Sequence, residues 1–350
     1  MSLRFRRSMK LIPGVRLTFN KDSLGLSFGV PGARYTMNTK GRRTLSTGLP
    51  GTGISHVETL SSGRKSSRST KTVASQEETM QPYEPPANLR PGLFSRKWER
   101  AFYQFLMDIY RYDSVDTPKQ VFEKATTLTA TYPQLKTALE LIIFLHTIGD
   151  ETFDKQKDAW AENIWKNRER YFRDKYVLKY FNGITPEVSI SPGISTQDKY
   201  NIQTFSFMYA ELLQHREKFA EALAIIESID ANQYTAISVA DIEITMKDYD
   251  AAIETTEDIE NEDDATAMLL ILRGIAFREK ELYDGALECF KRALAKKDRS
   301  EVMKHRALFE RADNYTRMGK KAMAIKDLEK ILVDDSDYPA VEEKLVALKK

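Results

Sequence analysis

Residues 270–293, LILRGIAFREKELYDGALECFKRA, decide the fold. Gly274, Phe277, Ala286, Phe290 and Ala293 run as small, two spacers, aromatic, eight spacers, small, three spacers, large, two spacers, small. Side chains three or four positions apart share one helix face. The pattern therefore describes two helices joined by a tight turn, with small residues where the backbones approach and large ones filling the gap. It recurs at Ala210, Leu213, Ala222, Ile226 and Ile229, again at Ala240, Glu243, Ala252, Thr256 and Ile259, and again at Ala312, Tyr315, Ala324, Leu328 and Ile331. The first positions step by 30, 34 and 38 residues. One helix pair cannot bury its apolar face alone, so repetition implies a stack.

Phe219, Tyr249 and Tyr283 add an aromatic three residues before the second small position, where Lys321 stands in the fourth copy. Glu243 and Thr256 make the second copy the least regular. This block, 196–350, resembles tetratricopeptide repeats, whose period is about 34 residues. The resemblance implies a superhelix with a groove lined by the first helix of each pair. Partner-facing positions would then be Phe207, Glu211, Gln214, Ile237, Asp241, Ile271, Arg278, Phe309, Asp313 and Arg317. The alternative at several of them is packing between pairs. Family members that hold a chaperone's carboxylate tail use Lys and Asn there. This chain has Phe207, Ile237, Ile271 and Phe309, with Glu211, Asp241, Ile275 and Asp313, so that clamp is absent. Phe and Ile with acidic neighbours suit an apolar, basic segment of a protein or peptide partner. After Asp337-Tyr338-Pro339 a last helix over 340–348 fits a solvating cap.

Before the repeats, residues 94–195 read as helix pairs without a clean repeat. Trp98, Phe102, Phe105, Leu106 and Ile109 have helical spacing over 94–112. Thr117-Pro118 is a helix start, with a capping hydroxyl and a proline in the first turn. Residues 138–148 read as a buried helix face, and Asp150 can cap a long helix over 151–172. GITPEVSISPGIS at 183–195 interrupts the pattern as a loop or short hairpin. Ser195-Thr196-Gln197-Asp198 then has the order of a capping box restarting helix.

The first 57 residues alternate apolar and polar positions in short runs separated by Pro13-Gly14, Asn20–Ser23, Pro31-Gly32, Lys40-Gly41 and Pro50-Gly51. Period two with such turns predicts an antiparallel meander. The alternation sets Arg4, Arg6, Arg16 and Arg34 opposite the apolar face, a candidate anion-binding surface. The aromatics Phe5, Phe19, Phe28 and Tyr35 fall on the apolar side, which is the wrong side for base stacking. The segment resembles the bacterial domain-of-unknown-function family 4236, through Arg4-Phe5-Arg6-Arg7-Ser8, Pro13-Gly14-Val15-Arg16-Leu17, Gly32-Ala33-Arg34 and the closing Gly48-Leu49-Pro50-Gly51-Thr52-Gly53. That resemblance implies a bacterial source and an N-terminal module, and carries no activity. Gly48–Gly53 lacks the Gly-Lys-Ser/Thr ending of a phosphate-binding loop. Residues 58–93, basic and serine-rich and then proline-rich, read as a flexible linker. The expected fold class is therefore α+β: a small β module, a linker, and an all-α solenoid.

Charge is uneven. Residues 1–72 hold 14 Lys and Arg against Asp22 and Glu58, a net of +12, and the remainder carries −10 within a total of +2. A basic head on an acidic body points to a polyanion, nucleic acid or acidic lipid, or to attraction between head and body. No apolar run approaches the roughly 18–20 residues of a membrane helix. The single Cys289 excludes an internal disulfide and any multi-cysteine metal site, and suggests the cytoplasm. His56, His146, His215 and His305 form no HxxxH or HExxH pair. The acidic run 257–264, EDIENEDD, reads as an inter-repeat loop. The sequence thus gives no ground for an enzyme, a cofactor or a metal.

Overall fold

The structure, a computed structural model, describes residues 89–110, 116–336, 338 and 340–349, together with the backbone of six N-terminal strands. These strands are β1 (Arg6–Ile12), β2 (Val15–Asn20), β3 (Ser23–Val30), β4 (Ala33–Asn38), β5 (Arg43–Gly48) and β6 (Ser55–Thr59), ordered as in the chain. Pairs from β2 to β6 are antiparallel, with Leu17 opposite Leu26 and Tyr35 opposite Leu45. Arg4, the side chains of Arg6, Arg16 and Arg34, and the linker residues 60–88 lie outside the described residues.

The described helical part divides into two compact units. One comprises 89–186 with 198–202, the other 187–197 with 203–349. The border is thus interleaved, and the segment at 187–197 belongs with the repeats.

In the first unit, α1 (Lys97–Ile109), α2 (Pro118–Thr131), α3 (Lys136–Thr147), α4 (Asp154–Lys166), α5 (Arg168–Phe172) and α6 (Lys175–Tyr180) follow in order. Thr117 caps α2 in a full capping box with Gln120, with Pro118 at the first position. Helix α3 is the centre: every residue from Leu141 to Thr147 is buried, which encircles the helix at 3.6 residues per turn. Helices α2, α4, α5 and α6 pack around it. The expected single helix over 151–172 is instead a 3₁₀ turn, α4 and α5. At the break, the Asn167 side chain and backbone N–H both donate to the Asn163 carbonyl, at 2.9 and 3.2 Å. His146 is buried beside the Tyr110 hydroxyl, 3.3 Å away, and burial lowers its pKa to about 4.

In the second unit, helix pairs α7 (Ile202–His215) with α8 (Phe219–Glu227), α9 (Gln233–Thr245) with α10 (Tyr249–Thr255), α11 (Asp264–Glu279) with α12 (Tyr283–Ala293), and α13 (Glu301–Arg317) with α14 (Lys321–Asp334) precede α15 (Val341–Lys349). All four intra-pair turns close identically. Glu217, Lys247, Glu281 and Gly319 adopt positive φ of 59°, 64°, 63° and 73°. The next residue's N–H then bonds back five residues, from Lys218 to Leu213, Asp248 to Glu243, Leu282 to Phe277 and Lys320 to Tyr315. This is the Schellman closure, which favours glycine; only the fourth copy supplies one.

Gly274 shows why the small positions are small. A Cβ there would lie 2.6 Å from the Phe290 ring. Ala222, Ala252, Ala286 and Ala324 are fully buried. The acidic run 257–264 is an ordered joint: Asp263 caps α11, and Asn261 donates to the Arg292 and Ala293 carbonyls at the end of α12, in the pair that follows. Among the described residues no helix is long and apolar enough to cross a membrane.

Candidate partner-binding face

The first helices of the pairs are the place to look for a partner-binding face, and the chain itself occupies part of it. Strands β7 (Glu187–Ser191) and β8 (Ile194–Gln197) form an antiparallel hairpin, resolving the loop-or-hairpin alternative at 183–195. The expected helix restart at Ser195–Asp198 does not occur. Thr196 pairs with Val188 in the strand ladder, and helix begins only at Ile202. The ladder has claimed the backbone groups a capping box would need. Gly193, at φ 97°, makes the turn. Strand β7 packs on α9 and β8 on α11, and a Cβ on Gly193 would lie 3.3 Å from Val302 of α13. Val188, Ile190, Ser191 and Ile194 are buried.

Helix α11 is enclosed by α9, α10, α12 and α13 together with β8. Residues 267–272 are all buried, six in succession, so no face of that stretch meets solvent. This places the ten expected partner-facing residues in two groups. Phe207, Ile237, Ile271 and Arg278 are interior, with Ile237 and Ile271 fully buried. Glu211, Gln214, Asp241, Phe309 and Asp313 are half-buried, and Arg317 is exposed. An aliphatic residue on the inner side of a first helix has the same pattern whether it meets a ligand or the chain's own hairpin, so the sequence could not separate the groups.

Four residues of the set converge. The Arg278 guanidinium lies 2.8 Å from Glu310 and 3.2 Å from Glu279, with Asp313 at 3.9 Å. Burial works against its charge, but Glu310, Asp313 and Glu279 outweigh burial and hold its pKa above the ordinary value. Arg317 grips both oxygens of Glu279 at 2.8 and 3.1 Å. Lys344 of α15 pairs with Asp313 and lies 4.9 Å from the Phe309 ring centre, which also meets the Tyr338 ring. The network ties α11, α13 and α15 together. Its interior is built for packing, and at its rim Asp313 is half-buried and Arg317 exposed.

Glu243, the irregular position of the second copy, is buried and accepts from the Thr255 hydroxyl at 2.9 Å. Burial pushes its carboxyl up from the usual range. Cys289 is buried, and burial raises its thiol pKa too, the opposite of a reactive cysteine. A cleft in the other unit is lined by Arg96, Trp98, Glu99, Lys175, Tyr176 and Lys179. Its cations are engaged: Lys179 bonds Glu99 at 2.5 Å and lowers that carboxyl's pKa, and Lys175 lies over the Tyr176 ring. Sequence reasoning also brought no metal ligands together. The structure brings Glu301, His305 and Asp334 within 4.8 Å of one another. The Glu301–His305 spacing of four residues on one helix was the available signal.

Comparison with known proteins adds the following. The family described as "Protein of unknown function (DUF4236)" matches residues 3–57. No curated protein matches. Among solved structures, the N-terminal domain of the EccA1 ATPase from the ESX-1 secretion system of Mycobacterium tuberculosis superposes with a TM-score of 0.53 at 12% identity. The match covers 72% of this chain and 88% of that one. At this identity the likeness shows the fold, tetratricopeptide-like helical packing. The APC/C hetero-tetramer Cut9-Hcn1 gives a TM-score of 0.38 at 11% identity, covering 72% of this chain and 42% of that one.

Proposed function

We propose that this chain is a non-enzymatic interaction scaffold that holds a protein or peptide segment along the first helices of its repeats. The observation that carries the reading is the hairpin. The first-helix side of α9 and α11 already accepts one extended segment, the chain's own. Beyond it, Asp313 and Arg317 on α13 remain within reach of solvent, as do Glu211 and Gln214 on α7 and Asp241 on α9. Carboxylates outnumber cations in this set, so the fitting partner is a basic segment with apolar anchors. Phe207, Ile237, Ile271 and Arg278 build the face from beneath.

Selection of displayed random peptides on the full chain tests this. Basic, apolar peptides should be enriched, and Glu211→Lys with Asp241→Lys should weaken their binding at least about tenfold. Absence of enrichment, or binding unchanged by the charge reversal, would overturn the reading. The reading extends to a bacterial cytoplasm, supported by the head's family resemblance and the single cysteine. A second function, docking of the head on nucleic acid or acidic lipid, is supported by the net +12 of residues 1–72. Its test is salt-sensitive binding of the full chain to polyanions, lost when Arg4, Arg6, Arg16 and Arg34 become Gln.

A further inference from the structure

His305 lies in the second turn of α13, 5% exposed, with Nε2 turned toward two carboxylates. Asp334 Oδ2, on the last residue of α14, is 3.4 Å away, and Glu301 Oε2, one turn earlier on α13, is 3.9 Å away. The contact to Asp334 exceeds the usual 2.7–3.2 Å of an N–H···O bond. That 3.4 Å separation equals the spacing of two ligands on one ion, and the 3.9 Å from His305 to Glu301 is wider. A tetrahedral ion with bonds of about 2.0–2.2 Å sets its ligand atoms about 3.3–3.6 Å apart. The Tyr338 ring stands edge-on to the imidazole at 90°, fixing its plane. Lys304 holds the other oxygen of Glu301, Oε1, at 3.0 Å, leaving Oε2 to face His305. The three ligand atoms lie within 4.8 Å of one another, and the Glu301 and Asp334 side chains are 64% and 54% exposed, so they can swing inward to tetrahedral ligand spacing and an ion can enter from solvent.

We propose that Glu301, His305 and Asp334 form a site for a divalent transition-metal ion, Zn2+ by ligand set and geometry. One imidazole nitrogen and two carboxylate oxygens suit such an ion, and the two charges balance it. A fourth position stays open to water. The ion joins the first turn of α13 to the last residue of α14, clipping the fourth repeat at its open end beside α15. This site is independent of the peptide-binding reading.

The test is calorimetric titration of Zn2+ into the full chain after chelator treatment, with Co2+ absorption reporting the ligand field. The expected result is one ion per chain, not displaced by Mg2+, with affinity falling more than about tenfold in His305→Gln and in Asp334→Asn. Asp334→Asn and Glu301→Gln change exposed groups, so they decide the matter if His305→Gln fails to fold. The proposal is overturned by an absence of stoichiometric binding. It is equally overturned if the affinity and Co2+ spectrum are the same in wild type and Asp334→Asn, which would put the ion on other histidines.

Discussion

Replacing Gly274 by alanine adds one methyl at the closest approach in the repeat block. That methyl would sit 2.6, 2.8 and 3.0 Å from Cε1, Cζ and Cδ1 of Phe290, a ring that is fully buried and closed in by its neighbours. Relief requires α11 and α12 to part or the ring to leave its rotamer. Overpacking of this kind costs about 1–3 kcal/mol, and so tight a contact belongs at the upper end. Alanine in a helix interior returns about 1 kcal/mol relative to glycine. The net expectation is destabilisation of about 2 kcal/mol. Phe290→Leu removes the obstructing ring, so Gly274→Ala should cost less in that background, with a coupling of at least about 1 kcal/mol. Urea denaturation should be paired with hydrogen exchange in α11 and α12, because two compact units need not unfold as one. If Gly274→Ala stabilised the chain by the full propensity gain, the two helices would not meet at this glycine and the packing argument would fail.

Acidification gives an independent check through His146. Its folded pKa, about 4, lies below the ordinary 6.5, so the unfolded chain takes up the proton first as pH falls. The contribution is complete above pH 6.5 and is lost between 6.5 and 4, up to about 3 kcal/mol; His146→Gln should flatten this part of a stability–pH curve. Glu310→Gln removes the nearest carboxylate from buried Arg278 and should cost about 2 kcal/mol by denaturant titration, with Arg278→Met and Glu310→Leu together recovering most of the loss. Glu281→Gly relieves a left-handed residue at a repeat turn and should raise stability by about 0.5–1 kcal/mol, visible as a higher denaturation midpoint.

The helix pairs were legible because the spacing of Gly274, Ala286 and Phe290 is dictated by helix geometry and interhelical distance, both local enough to leave a trace in sequence. The capped helix start at Thr117-Pro118 was legible for the same reason. The uniform turn was hidden, since Glu217, Lys247 and Glu281 adopt the conformation of Gly319 without being glycine, their strain outweighed by packing on either side. The hairpin's seat on α9 and α11 was hidden more deeply. Val188, Ile190 and Ile194 advertise a buried strand, but nothing in a one-dimensional pattern names the surface that buries them. Ile237 and Ile271, expected to face a partner, are fully buried on these two helices. The Arg278 network and the grouping of His305 with Asp334 depend likewise on residues about 30 positions apart meeting, the first across stacked pairs and the second within the fourth pair.

The claim that the first-helix side holds a polypeptide is most directly tested by photocrosslinking in cells of the source organism. A benzophenone amino acid replaces Gln214 on α7 or Arg317 on α13, with Met323 on the exposed side of α14 as the control position. The account predicts one and the same protein joined to positions 214 and 317 and absent from 323. Adducts that are equal at all three positions, or no adduct at 214 and 317, would contradict it.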